Sequence, residues 1–218
     1  MATTRPFSEA SYRRQTMEKK IIITIGRQFG SGGKSVADAL GRKLGIPVYD
    51  SELITKAAQD SGFSEEVFVE SDEKRRFFSL SKIFTNTYSD IEDYMSDNGL
   101  FKMQSETIRR IAEQGPAVIV GRCSDYILRD MDNVIDVFLT SPVEIRAERI
   151  SIRLGISLEK AEEMIGKKDK GRAEYYNYYT FGNWGQASTY DICLDSSLLG
   201  IEGTADFIID FARKAGKI

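Results

Sequence analysis

Hydrophobic positions along this chain change their rhythm in a repeating way. Ile21-Ile22-Ile23-Thr24-Ile25 is a β-branched run with no polar alternation, which predicts a strand buried on both faces. Past Gly33 the spacing switches. Val36, Ala37, Ala39, Leu40 and Leu44 fall at helical intervals, and Gly45 followed by Pro47 supplies a stop. The short segment from Ile46 to Tyr49 predicts a second parallel strand that delivers Asp50 at its C-terminal end, where open α/β sheets place ligands. Pro116 to Val120, Val134 to Leu139 and Tyr190 to Leu194 predict further strands, each followed by helical spacing. Ser141-Pro142-Val143-Glu144 has the residue types of a capping box, which would start a helix there. This alternation predicts an α/β fold with three layers, α/β/α, around a central parallel sheet.

Two stretches depart from the alternation. Residues 1–20 are polar and mixed in charge, with no apolar middle, and are expected to form a flexible arm before a single domain over 21–218. From Ser51 to about Gln114 the chain reads mostly helical, with a polar, aromatic-bearing interruption near 79–99. That is too long for a simple crossover, so about 51–114 is a candidate substrate-binding insertion. Within it, Lys74-Arg75-Arg76 fits a solvated charge run or an anion-facing patch.

The junction between the first strand and helix carries the chemistry. Gly26-Arg27-Gln28-Phe29-Gly30-Ser31-Gly32-Gly33-Lys34-Ser35 is a glycine-rich loop between strand and helix, ending in Lys-Ser. Phosphate oxygens are held by backbone N–H groups converging on one hollow, and glycines let the chain curl that tightly. The helix start adds free N–H groups and its positive dipole end. Lys34 would reach the outer phosphates and the Ser35 hydroxyl would ligate Mg²⁺. In the pattern GxxxxGK[ST] the first glycine falls on Gln28, a departure that shifts the tight turn to Gly26 and Gly30.

Composition narrows the chemistry. With 30 basic and 33 acidic residues the net charge is -3, so no global positive field draws the chain to nucleic acid or anionic membrane. The chain has no histidine, which excludes histidine bases, Ser-His triads and histidine-bound zinc. Cys123 and Cys193 form no CxxC and lie in apolar, strand-like runs, which predicts buried reduced thiols and a cytoplasmic location. No apolar stretch reaches the length of a membrane span. Arg146, Arg149 and Arg153 share one helix face, either a solvated salt-bridged face or a basic edge toward phosphate. The stretch from Tyr175 to Trp184 is rich in aromatics that fit lid packing, base stacking or contact with a second copy in a homo-oligomer.

The FGSGG loop, GIPVYDSELI, AVIVGRC, the helix containing RAERI, the KKDKGR patch and YDICLDSSLLGIE together resemble the cytidylate kinase-like family. That family is a branch of the nucleoside monophosphate kinases among the P-loop NTPases. The resemblance implies ATP and Mg²⁺ as cofactors, CMP or dCMP as acceptor, a helical monophosphate-binding insertion, and a lid over about 155–189. Gly30, Ser31, Gly32, Gly33, Lys34 and Ser35 match the donor-phosphate loop. Asp50 and Lys56 match the acceptor corner, and Arg122 the acceptor-facing GR, with Cys123 in place of the family's acid. Lys168-Asp169 and Arg172 match the basic lid, and Lys168 and Arg172 would, with Lys34, neutralise the phosphoryl group in flight. Ser35 and Asp50 would hold the metal, with Asp125 and Asp169 as fallbacks. A different reading of the same features is a nucleotide-binding sensor with little turnover. A GTPase would need an NKxD motif, which the chain lacks.

Overall fold

Parallel strands require a crossover between each pair, and helices supply it here. The computed structural model describes residues 21–60 and 98–218, so the predicted arm over 1–20, the central part of the predicted insertion and the Lys74-Arg75-Arg76 patch lie outside the described residues. In chain order the strands are β1 (Ile22–Arg27), β2 (Val48–Tyr49), β3 (Ala117–Val120), β4 (Val134–Thr140) and β5 (Ile192–Asp195). The described helices are α1 (Gly33–Leu44), α2 (Ser51–Asp60), α3 (Asn98–Gln114), α4 (Ser124–Ile127), α5 (Val143–Leu154), α6 (Leu158–Thr180) and α7 (Ser196–Lys214). The sheet order is β2-β3-β1-β4-β5, with every neighbouring pair parallel. β1 is therefore central, and its C-terminal end opens between the ends of β3 and β4, with Ile25 beside Val120 and Arg27 beside Leu139.

The side-chain alternation of β1 builds two cores. Ile21, Ile23 and Ile25 face one side, where Val36 and Leu40 of α1 and Ile208 and Ile209 of α7 cover them. Ile22 faces the other, packed with Ile54 of α2, Ile108 of α3, Ile127 of α4 and Tyr176 of α6. A third cluster joins α5 to α6 through Ala147, Ile150, Ala161 and Ile165 and takes in Phe29 of the glycine-rich loop. These are the three layers expected from the sequence.

Local boundaries differ where tertiary contacts intervene. The capping box does not form. Pro142, at φ -51° and ψ 143°, is the N-cap residue of α5 with no side-chain cap, while the Ser141 N–H donates to Gln28 Oε1 at 3.3 Å. β5 starts two residues later than expected, and α7 begins at Ser196, capped by Asp195, with a kink at Gly200. Cys123 is buried as expected, but it lies beyond β3, and Cys193 is exposed on the edge strand β5. The predicted lid segment contains one unbroken helix of 23 residues. Gly166 and Gly171 each weaken it by about 1 kcal/mol relative to alanine, so its packing on α5 at one end and its buried Tyr176 at the other hold it straight.

Within the sheet, the Thr24 hydroxyl donates to Asp136 Oδ1 across adjacent strands at 2.5 Å. Burial pushes the Asp136 carboxyl up to about 6; the Thr24 bond opposes the shift, and the nearby Asp125 and Asp191 carboxylates add to it. The folded value lies above the unfolded one, so the native state loses stability as pH rises from about 4 to about 6. Asp136→Asn keeps an acceptor for Thr24 and removes the charge. In thermal melts it is expected to raise the midpoint by about 2–6 °C at pH 8 and to leave it unchanged at pH 4.

Candidate active site

The glycine-rich loop leaves β1 without a break in the ladder. Gln28, one residue past β1, still donates its N–H to Leu139 O at 3.0 Å and has no positive φ, so position 28 does not require glycine. The turn comes next. Ser31 closes it, its N–H and its hydroxyl both donating to Gln28 O at 3.3 and 2.9 Å. Gly30 (φ 84°) and Gly32 (φ 82°) take the left-handed backbone that side chains disfavour. The Ser196 hydroxyl donates to Ser31 O and ties the loop to the start of α7. Among the described residues no protein acceptor meets the backbone N–H groups of Gly30, Gly32, Gly33, Lys34 or Ser35. A curl of free amides therefore runs into the first turn of α1, a hollow with the polarity of an anion site.

Lys34 and Ser35 are exposed on that first turn. The Lys34 ammonium meets Asp50 Oδ2 at 2.7 Å and Asp38 Oδ1 at 3.5 Å. Asp50 also caps α2, because its Oδ1 accepts from the N–H groups of Glu52 and Leu53, both at 3.1 Å. Burial raises the Asp50 carboxyl, but Lys34 and those two N–H groups outweigh it and leave it below the usual carboxylate range. Lys34 is held above its ordinary value, chiefly by its hydrogen bond to Asp50. The predicted donor-phosphate lysine and the predicted acceptor-corner carboxylate are in direct contact.

Three arginines lie close to one another nearby. Arg27 runs its stem along Gly33 and places Nη1 where a Cβ on Gly121 would be, so Gly121 is needed for the close approach. Loss of solvent lowers the Arg27 guanidinium well below its ordinary value, the charges of Arg172 and Arg122 lower it further, and Asp50 partly opposes them. Among the described residues Arg27 has no ion-pair partner. Arg122 sits in a run of left-handed backbone, with φ 76° at Gly121, 56° at Arg122 and 54° at Cys123. Such strain in non-glycine residues persists only where surrounding contacts enforce it. Here the Arg122 side chain hydrogen-bonds Tyr175 and lies 5.5 Å from the centre of its ring. Arg172 Nη1 donates to Arg27 O at 2.9 Å.

Free amides, a lysine and clustered guanidiniums at the C-terminal edge of a parallel sheet are the parts of a phosphate-handling site. The sequence profile described as the cytidylate kinase-like family matches residues 22–198. The chain belongs to that family. Relatives named cytidylate kinase include that of Pyrococcus horikoshii, 26% identical over 186 residues and 84% of each chain. That of Methanopyrus kandleri is 27% identical over 187 residues, 81% of this chain and 85% of the relative. A solved, uncharacterised protein from Eubacterium ventriosum matches at 33% identity and a TM-score of 0.67, over 90% of this chain and 99% of that one. Shikimate kinase from Bacteroides thetaiotaomicron shares the fold at a TM-score of 0.53 and 15% identity, over 88% of this chain and 98% of its own. Membership of the cytidylate kinase-like family makes this chain a nucleoside monophosphate kinase.

Not every residue expected from the family resemblance joins the cluster. Lys56 is exposed on α2; Thr55 beside it turns inward and accepts from Gln104 Nε2 at 3.1 Å. Lys168 is exposed on α6, whereas Asp169 turns toward the loop. Asp125 is buried beneath Tyr176, whose hydroxyl donates to it at 2.7 Å, and Asp169 is paired with Arg146 at 2.6 Å, so neither metal fallback is open to the cleft. Tyr175, Tyr176 and Tyr179 pack inward, with Tyr179 stacked on Phe101 at 3.9 Å, so this part of the aromatic run is core. Arg27 was missed from the sequence. Its signal was present: an arginine at the C-terminal end of the central strand, in the position from which that fold class addresses ligands. The Arg146, Arg149 and Arg153 face is only partly solvated: Arg146 is buried, Arg149 half-buried and Arg153 exposed. Arg146 and Arg149 reach the carbonyls of Phe29 and Gly30, and Arg153 lies over the Phe29 ring. No described helix is long and apolar enough to cross a membrane.

Proposed function

We propose that this chain transfers the terminal phosphoryl group of ATP to CMP or dCMP, giving the diphosphate and ADP. The observation that carries this is the convergence of Arg122 and Arg172 on Arg27, whose stem lies along Gly33 beside Lys34, whose Nη1 lies against Gly121 and whose carbonyl accepts from Arg172. Burying a guanidinium beside two others is costly unless an anion shares the space. The dianionic phosphate of a monophosphate acceptor supplies that charge, and arginine forks match its oxygens.

The mechanism asks little covalent chemistry of the protein. Phosphoryl transfer needs in-line placement and neutralisation of charge on the moving oxygens. The amides of Gly30 to Ser35 and the Lys34 ammonium would hold the donor phosphates. Arg27 and Arg122 would hold the acceptor phosphate, with Arg172 between the two. The acceptor's phosphate oxygen is already ionised at neutral pH, so the absence of histidine removes nothing the reaction requires. Mg²⁺ prefers oxygen ligands and few protein contacts; a hydroxyl at Ser35 and an ionised carboxylate at Asp50 fit that preference. When bound it would neutralise charge on the donor phosphates. Drawing Lys34 toward the triphosphate would release Asp50 for that role.

The test is ADP release measured with a panel of nucleoside monophosphates. Turnover greatest with CMP or dCMP is expected. Tight ATP binding with no acceptor-dependent turnover would overturn the kinase reading in favour of the sensor. Within the same assay, Arg122→Ala is expected to raise the acceptor KM by about 10- to 100-fold and the ATP KM by less than about threefold. Equal rises would remove Arg122 from the acceptor site.

A further inference from the structure

We infer that Asp169 on α6 is a positioning residue for the phosphate loop, so that the lid helix sets how tightly the loop grips the donor triphosphate. The inference builds on the donor site proposed above.

Phe29 shows the arrangement most plainly. Its N–H donates to Asp169 Oδ1 at 2.6 Å, and its carbonyl accepts from Arg146 Nη1 at 3.1 Å. The same Nη1 meets Asp169 Oδ2 at 2.6 Å. Both oxygens of one carboxylate are therefore committed, one directly to the loop backbone and one to the arginine that holds the next carbonyl. The pair is well shielded, with side chains 8% and 17% exposed, which separates it from surface ion pairs of little consequence. The Phe29 ring is flanked by the guanidiniums of Arg153 at 5.7 Å and Arg172 at 5.5 Å. Arg172, one turn beyond Asp169, takes Arg27 O. A single helix thus holds the loop at Arg27 and again at Phe29.

These ties stop where the amide hollow begins. Gly30 comes next, packed on the Arg146 backbone, and beyond it lie the free amides. A segment with glycines at 30 and 32 has many shapes available, and ordering it on binding would subtract from affinity. Fixing Phe29 from outside narrows that choice before nucleotide arrives. The local sequence is consistent with such a role: in Lys167-Lys168-Asp169-Lys170 the three lysines are exposed, and the one acid is the residue that α6 turns to the loop. A position serving only the α5–α6 contact would be filled as at Ala161 and Ile165, by an apolar side chain.

The experiment is calorimetric titration with a non-hydrolysable ATP analogue, together with steady-state KM values for donor and acceptor, on the full chain. Asp169→Ala is expected to weaken analogue binding by about tenfold, the loss of one charge-assisted hydrogen bond, with the acceptor KM within about twofold. Asp169→Asn keeps an acceptor for the Phe29 N–H and is expected to recover part of the affinity, to about threefold below the native chain. Faster hydrogen exchange at residues 29–33 in the alanine variant is the accompanying sign, which a purely structural role elsewhere in α6 would not produce. Unchanged analogue affinity in either variant overturns the inference, as do equal rises in donor and acceptor KM. If the alanine variant melts below assay temperature, the isosteric asparagine variant carries the test. Lys34→Ala in the same titration separates the two levels. If it binds the analogue normally, the donor site itself is wrong; if it fails while both Asp169 variants bind normally, only the Asp169 role is lost.

Discussion

Lys34→Ala lowers ATP-dependent turnover by about 10²- to 10³-fold, the loss seen when one preorganised charge is removed from a reacting oxygen. The side chain is 58% exposed and belongs to no core cluster, so the fold has little to lose. Asp50 keeps its bonds to the N–H groups of Glu52 and Leu53, which preserves the start of α2. Steady-state kinetics beside a thermal melt checks both halves: a collapse of kcat with a midpoint near that of the native chain. Unchanged turnover would detach Lys34 from phosphate chemistry and leave it as half of a surface ion pair with Asp50.

The second large effect runs in two directions at once. Arg27→Met keeps a long stem against Gly33 but removes a guanidinium set deep beside Arg122 and Arg172. Acceptor KM is expected to rise by about 10- to 100-fold, the range for a lost charged hydrogen bond, with the ATP KM changing far less. The melting midpoint without ligand is expected to rise by about 2–4 °C, which corresponds to roughly 1 kcal/mol in a domain this size. The reason is that a desolvated cation among like charges costs stability until an anion arrives. A site assembled for binding often carries such a cost. Lower stability together with unchanged acceptor KM would mean that Arg27 only props the loop.

The two arginines show how the legibility of a site divides. Arg122 could be placed from the sequence because it follows a buried strand within a family motif. Arg27 could not, because its partners are Gly33 nearby and Gly121, Arg122 and Arg172 far along the chain, and nothing local says that these meet. Lys168 and Asp169 show the same limit on one helix. Family resemblance favoured the lysine, yet the helix phase, set by Ala161, Ile165 and Tyr176 packing into two cores, turns the aspartate toward the loop. Gln28 departs from the glycine of the common loop pattern. In the structure it stands one residue past β1 with its N–H still in the ladder and its side chain crossing to Ser141, so the departure has a local reason. The same bond accompanies a helix start whose capping box does not form.

Periodicity and turn chemistry are local properties, and they alone determined the strand–loop–helix unit around Lys34, the order of the other strands and helices, and the α/β class. The meeting of Lys34 with Asp50, the approach of three like-charged arginines, and the grip of α6 on Phe29 were decided by the tertiary structure. These contacts join residues up to 145 positions apart. Their geometry depends on sheet order and helix phase, which emerge only when both faces of the sheet are packed.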